Sequence, residues 1–249
     1  MLFGCDGIAG IEFDNFTMTE YICNIALGFI MFYGGFNTKW KTARPVAVKA
    51  VLLSTCGVIL TAAFTMLFCY FVLRFPIAES FLVGAVLSAT DAASVFAILR
   101  RKKLNLKDGV ASLLEIESGS NDPIAYMLTV IGIYILNGDN LIKVPYVIFA
   151  QIVYGVLIGI GLAVAAIYVL TRTDIIVNGL DTIFILAVVL LGLGLSQLVG
   201  GNEFLCIYLF GILLGNSRIR NKGNIVPFFD GVTTLAQIVI FFMLGLLSY

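Results

Sequence analysis

The stretch VPYVIFAQIVYGVLIGIGLAVAAIYVLT, residues 144–171, contains no charged side chain. A hydrocarbon core about 30 Å thick is crossed by about 20 residues of helix, and this run is longer than that. An open strand exposed to lipid leaves backbone groups unpaired, so the segment reads as a transmembrane helix. It is also too long and too evenly apolar for a barrel strand. Seven further stretches qualify wholly or nearly: 20–37, 50–73, 77–99, 110–136, 180–200, 203–216 and 231–249. The run 203–216 is short, and Val199-Gly200-Gly201-Asn202 ties it tightly to its predecessor. The expected fold class is an all-α polytopic membrane protein with about eight transmembrane helices.

Composition agrees. Of 249 residues, 60% are hydrophobic and 12% charged, with a mean hydropathy of +1.05. That is about half the usual charged share of a soluble domain. A soluble chain of this size has too little interior to hide so much apolar surface. Fifteen basic and fifteen acidic residues cancel, so no basic field points to nucleic acid. The five cysteines are scattered, form no CxxC pair, and read as small hydrophobes. Histidine is absent, which removes His-based triads, His zinc sites and His proton relays, and with them most enzyme readings.

Basic residues orient the spans. One side collects Lys39, Lys41, Arg44, Lys49, Arg100, Arg101, Lys102, Lys103, Lys107, Arg172, Arg218, Arg220 and Lys222; the other holds only Arg74 and Lys143. The positive-inside rule places the N-terminus outside the cytoplasmic membrane. Met1–Thr19 has no basic n-region and reads as an external segment, the tail of a missing helix, rather than a signal peptide. The abrupt ending at Tyr249 suggests a fragment, which is expected not to transport by itself.

Most acids fall in loops or at span ends, Glu203 and Asp230 among them. Asp91, Glu115, Glu117 and Asp122 lie within spans instead. Counted along 77–99 and 110–136, Asp91 and Asp122 sit at similar depth near the midplane. Each central carboxylate costs about 2.5–3.5 kcal/mol on insertion scales, so something must offset it. Around Asp91 runs Leu-Ser-Ala-Thr-Asp-Ala-Ala-Ser (87–94), where a local helix break would release carbonyl oxygens. Around Asp122 runs Glu-Ile-Glu-Ser-Gly-Ser-Asn-Asp-Pro (115–123). Pro123 cannot donate to the Gly119 carbonyl and frees another oxygen. Ser118 and Asp122 share one helical face, Glu117 and Asn121 the adjoining one. Hydroxyls, carbonyls, an amide and a carboxylate make a hard oxygen cage suited to alkali cations. Without histidine a proton must ride on a carboxylate, so cation and proton exclude one another at Asp122. No cofactor is called for; Na⁺ or K⁺ and H⁺ are cargo.

At these residues the chain resembles the bacterial cation:proton antiporters of the NhaP-type sodium/proton exchanger family, specifically the potassium/proton (cell-volume-regulation) subgroup. The resemblance rests on Ser-Ala-Thr-Asp-Ala-Ala-Ser-Val-Phe (88–96), Leu-Glu-Ile-Glu-Ser-Gly-Ser-Asn-Asp-Pro (114–123) and Leu-Gly-Asn-Ser-Arg-Ile (214–219). Asp230-Gly231, Leu-Ala-Gln (235–237) and Phe-Met-Leu-Gly-Leu-Leu (242–247) extend it. It implies that Asp122 carries cation and proton alternately, and that Asn121 crosslinks to the Thr90-Asp91 crossover. Ser118 and the Thr90 carbonyl become ligands, and Asn-Asp marks electroneutral exchange. Glu117 sits near the site, paired with an arginine beyond this chain. The implied fold has about thirteen helices with two inverted three-helix repeats, and forms homodimers. Residues 50–136 match the first repeat, 20–37 and 144–249 match scaffold helices, and the second repeat is absent. Where the family often has an acid before the Gly-Gly pair, this chain has Phe32-Tyr33-Gly34-Gly35. Either Tyr33 offers a hydroxyl there or the site has one carboxylate fewer. The rival reading is a cation channel lined by the same mid-membrane polar groups.

Overall fold

The computed structural model describes residues 13–90, 110–138, 140–172, 180–219 and 222–247. Eight α-helices occur among them: α1 (Phe16–Asn37), α2 (Trp40–Phe71), α3 (Ile77–Val86), α4 (Val110–Leu136), α5 (Val144–Arg172), α6 (Leu180–Leu198), α7 (Glu203–Gly215) and α8 (Lys222–Leu246). Five are long and apolar enough to cross a membrane: α1, α2, α5 with its preceding 3₁₀ turn, α6 and α8. The chain is an all-helical, multi-pass membrane protein.

The boundaries differ from the hydropathy reading in instructive ways. Helix α2 begins at Trp40, not residue 50, so Lys41, Arg44 and Lys49 lie on helix rather than in a loop. Helix α8 begins at Lys222 rather than 231, which puts Asp230 inside it. Charge looks like a loop to a hydropathy count, but a helix carries basic side chains beyond the apolar zone without breaking. Helix α3 stops at Val86, well short of the expected end of its span. There the Ser88 hydroxyl donates to the Ala85 carbonyl at 2.6 Å, and Ala89 and Thr90 are not helical. Residues 87–90 thus show the local break expected in this stretch, and a helix continuous from Ile77 does not reach Asp91. Asp91 itself, like residues 1–12, lies outside the described residues.

Helix α7 is the centre of the packing. It runs parallel to α1 in fixed register: a Cβ on Gly211 would lie 2.4 Å from the Phe32 carbonyl oxygen, and one on Gly215 would lie 2.0 Å from that of Phe36. Its other flank meets α5, where Gly155 and Gly159 abut the Asn202 and Cys206 carbonyls. Small residues let backbones touch, so dispersion can hold helices that lipid does not push together. Phe32 seals the joint, with ring centroids 4.7 Å from Phe229 and 5.4 Å from Phe210. Asn216 closes the far end: its Nδ2 donates to the Thr38 carbonyl and its Oδ1 accepts from the Trp40 amide, both at 2.8 Å. Helices α2, α3 and α4 pack mainly on one another, with Gly84 of α3 against the Ala62 carbonyl of α2.

Gly211→Ala and Gly161→Ala make a matched pair, since a Cβ at Gly161 meets nothing within 4 Å. The first is expected to cost about 1–3 kcal/mol through forced separation of α1 and α7. The second is expected to be neutral or slightly stabilising. Thermal midpoints in detergent read both.

Candidate functional site

Helix α4 brings the acidic motif into the bundle and Pro123 interrupts its bonding ladder at mid-length. Asn121 is buried at 1% exposure, and its Nδ2 donates to the hydroxyl of Thr90 just beyond α3. Its Oδ1 has no hydrogen-bond partner among the described residues. One residue along, Asp122 is half-buried and lines a cavity of about 570 Å³ together with Thr90, Tyr126, Thr129, Phe204 and Gln237. The remaining wall is apolar, including Leu27, Ile30, Val86 and Leu244. Thr90 and Asp122 thus meet at one open space between α1, α4, α7 and α8.

Ser118 and Glu117 are placed differently. Ser118 is buried and Glu117 half-buried on α4, and neither is among the side chains lining that cavity. Gly119, one residue on from Ser118, is covered by the ring of Tyr208, which would stand 2.6 Å from an added Cβ. Tyr208 is buried, its hydroxyl lies beside the Thr38 side chain, and it is within electrostatic reach of Glu115 and Asp122. Tyr33 does not line the cavity; its hydroxyl donates to Asp230 Oδ1 at 2.9 Å, linking α1 to α8. Among the described residues no group of three Asp, Glu or Cys side chains converges on a metal-sized point. Among the described residues the site is one carboxylate with hydroxyls and an amide.

The sequence reading missed the contribution of α7. Asn202 Nδ2 donates to the carbonyl of Pro123 at 2.7 Å, its Oδ1 caps α7 through the Leu205 amide at 2.9 Å, and its own N–H reaches the Gln151 carbonyl at 2.9 Å. The start of α7 is therefore level with the middle of α4, beside Asp122. Helix length carried the signal. Thirteen residues span about 20 Å, too little for a core of about 30 Å, so one end of α7 has to lie inside. Glu203, expected at a span end, is instead 3% exposed.

Residues 1–248 match the family described as sodium/hydrogen exchanger, transmembrane. The chain belongs to that family. It is 36% identical over 251 residues to the K(+)/H(+) antiporter NhaP2 of Shewanella sp. (strain ANA-3), covering 99% of this chain and 43% of the relative. To the K(+)/H(+) antiporter NhaP of Alkalimonas amylolytica it is 36% identical over 249 residues, with the same coverage. Its fold matches the structure of the sodium proton antiporter MjNhaP1 from Methanocaldococcus jannaschii at pH 8, with a TM-score of 0.72 and 25% identity, over 92% of this chain and 57% of that one. The chain thus spans less than half the length of these K(+)/H(+) antiporters.

Asn202→Asp keeps the cap acceptor of α7 but turns an oxygen towards the Pro123 carbonyl. Leaving that buried carbonyl opposed costs about 1–3 kcal/mol. A thermal midpoint lower than that of Asn202→Ala is expected, because Ala removes the donor without adding repulsion.

Proposed function

We propose that the protein, at its natural length, exchanges a monovalent cation, Na⁺ or K⁺, for H⁺ across the cytoplasmic membrane, with Asp122 holding one cargo at a time. The observation that carries this reading is the placement of Asp122 in a mostly apolar cavity beside Thr90. A carboxylate there is neutralised by a proton or by a cation, and the two compete for the same oxygens. The names of the relatives, all antiporters, speak for exchange rather than for a channel.

Each neighbour has a part in the proposal. Asn121 stands beside Asp122 where a second acid would add a charge, which favours one-for-one, electroneutral exchange. Its amide holds the Thr90 hydroxyl and so fixes the end of α3 against α4. Ser118 and the Thr90 carbonyl complete the cation shell in another state of the carrier, Glu117 adds negative potential one turn away, and Asp91 neutralises helix ends at the crossover. The bias of basic residues supports an external N-terminus. A second copy of the chain as partner, and residues 50–136 as a transporting repeat between scaffold helices, belong to the same proposal and rest on the family resemblance.

In vesicles holding the protein at its natural length, Asp122→Asn is expected to reduce cation-driven proton movement to the level of empty vesicles, with membrane yield unchanged. A pH-sensitive dye reads the flux. Wild-type rates in that variant would remove Asp122 from the mechanism.

A further inference from the structure

One buried acid has no task in the exchange just described. Glu203 opens α7 at 3% exposure, and its Oε1 has no hydrogen-bond partner among the described residues. A carboxylate withdrawn from water keeps its charge only where donors or a basic group replace the lost hydration. Among the described residues, the ionisable side chains on neighbouring helices within electrostatic reach of Glu203 are Tyr126 of α4 and Glu20 of α1, a phenol and a second acid. Cys206 follows one turn along α7 itself. Around the preceding turn, α5 offers Gln151 and Tyr154, and α6 offers Ser196; these bring no formal charge. Gln151 and Ser196 are themselves buried with unpartnered side-chain atoms. Two amides at the start of α7 are already taken, Leu205 by the Asn202 side chain and Cys206 by the Asn202 carbonyl. A carboxylic acid, with a proton of its own, suits this pocket better than an anion.

Its position is as telling as its surroundings. The Asn202–Pro123 bond sets Glu203 at the level of Asp122. Phe204, the next residue, lines the Asp122 cavity and packs edge-on against Tyr126, with centroids 4.9 Å apart. Tyr126 lies one turn beyond Asp122 on α4, lines the same cavity and is within electrostatic reach of Glu203. The phenol thus adjoins both acids, and its hydroxyl both donates and accepts. On the other side, the parallel register of α1 and α7 sets Glu203 level with Asn24, one turn from the exposed Glu20.

We propose that Glu203 is a second proton-holding carboxyl of the transport site, exchanging its proton with the Asp122 cavity through the Tyr126 hydroxyl. The inference rests on the proposed exchange at Asp122. In the transfer, the Glu203 proton moves to the Tyr126 oxygen as the tyrosine's own proton passes to the Asp122 carboxylate. Only O–H bonds break and form, and one negative charge moves from Asp122 to Glu203. The exposed end of α1 is the side from which water then returns a proton to Glu203. Glu203 is not among the residues lining the cavity, so it serves the proton and not the cation.

Carbodiimide labelling of the protein at its natural length in lipid vesicles tests this without a substitution. Dicyclohexylcarbodiimide takes the carboxylic proton onto nitrogen as the carboxyl oxygen bonds its central carbon, and the adduct rearranges to an N-acylurea with nothing lost. Peptide mass spectrometry reads every acid in one sample. Glu203 is expected to be labelled in preference to exposed Glu79 at the same pH, and independently of added Na⁺ or K⁺, whereas either cation protects Asp122. At natural length, Glu203→Gln and Tyr126→Phe are expected to slow exchange roughly tenfold at alkaline pH, where proton supply limits, and little at acid pH. Labelling of Glu203 no greater than that of Glu79, or variants slowed equally at every pH, overturns the inference. Loss of cation protection at Asp122 instead sinks the exchange reading on which it rests.

Discussion

A single amide side chain, that of Asn202, joins three helices at a depth where water cannot serve as partner. It donates to the Pro123 carbonyl, accepts the Leu205 amide, and stands where its own backbone N–H reaches the Gln151 carbonyl. In hydrocarbon every such group must be satisfied within the protein, so the three bonds are tied to one geometry. Pro123 adds to its weight: having no N–H, it leaves the Gly119 carbonyl without its helical donor. It weakens α4 beside Asp122, and the weakened turn is held from outside by α7. Glycine allows the approach: a Cβ at Gly155 would lie 2.8 Å from the Asn202 carbonyl oxygen.

From that joint the remaining architecture follows. Because α7 starts at mid-depth and is flanked by backbone-to-backbone contacts with α1 and α5, it cannot slide without breaking both glycine registers. Helix α4 is then clamped between α7 on one side and α2 on the other, where Ser54 and Ser120 hydroxyls lie 3.4 Å apart. The early end of α3 leaves Thr90 non-helical and within reach of Asn121. A cavity between α1, α4, α7 and α8 is what this packing leaves open, and Asp122 faces it.

The spans and the central carboxylate were legible because they rest on quantities a sequence carries directly: runs of apolar residues, helix rise, and the cost of charge in lipid. Gly155 and Gly159 are packing positions, whereas Gly161 in the same run faces open space. The helix starts were not legible. Lys41, Arg44 and Lys49 break the apolar pattern without breaking α2. Depth was the harder loss. Glu203 looked peripheral because residue counting assumes that each span begins at a membrane face, and α7 begins inside. Gln237 was quoted only as part of a motif, yet it lines the cavity. Tyr33 was a candidate for the cation shell, and its hydroxyl meets Asp230. Side-chain direction across helices is set by packing, which no single-helix pattern contains.

The apolar wall around Asp122 also bears on how an ion is handled. A conducting pore stabilises its ion continuously, by polar groups spaced closely enough that no step is steep. Here Leu27, Ile30, Val86, Phe204, Ile240, Phe241 and Leu244 dominate the cavity, with Asp122 as its acid among the described residues. A cation in such a space is stable as a neutral pair with Asp122 and unstable one helical turn away. In the proposed exchange the pair is therefore sticky, and transit would require the protein to change the exposure of the site rather than the ion to hop along it. The same wall makes the empty, charged carboxylate the costliest state, so a departing cation is best replaced at once by a proton held close by. That requirement gives the Tyr126–Glu203 pair its place in the proposed cycle: a carrier whose binding site must not stand empty needs its second cargo waiting beside the first.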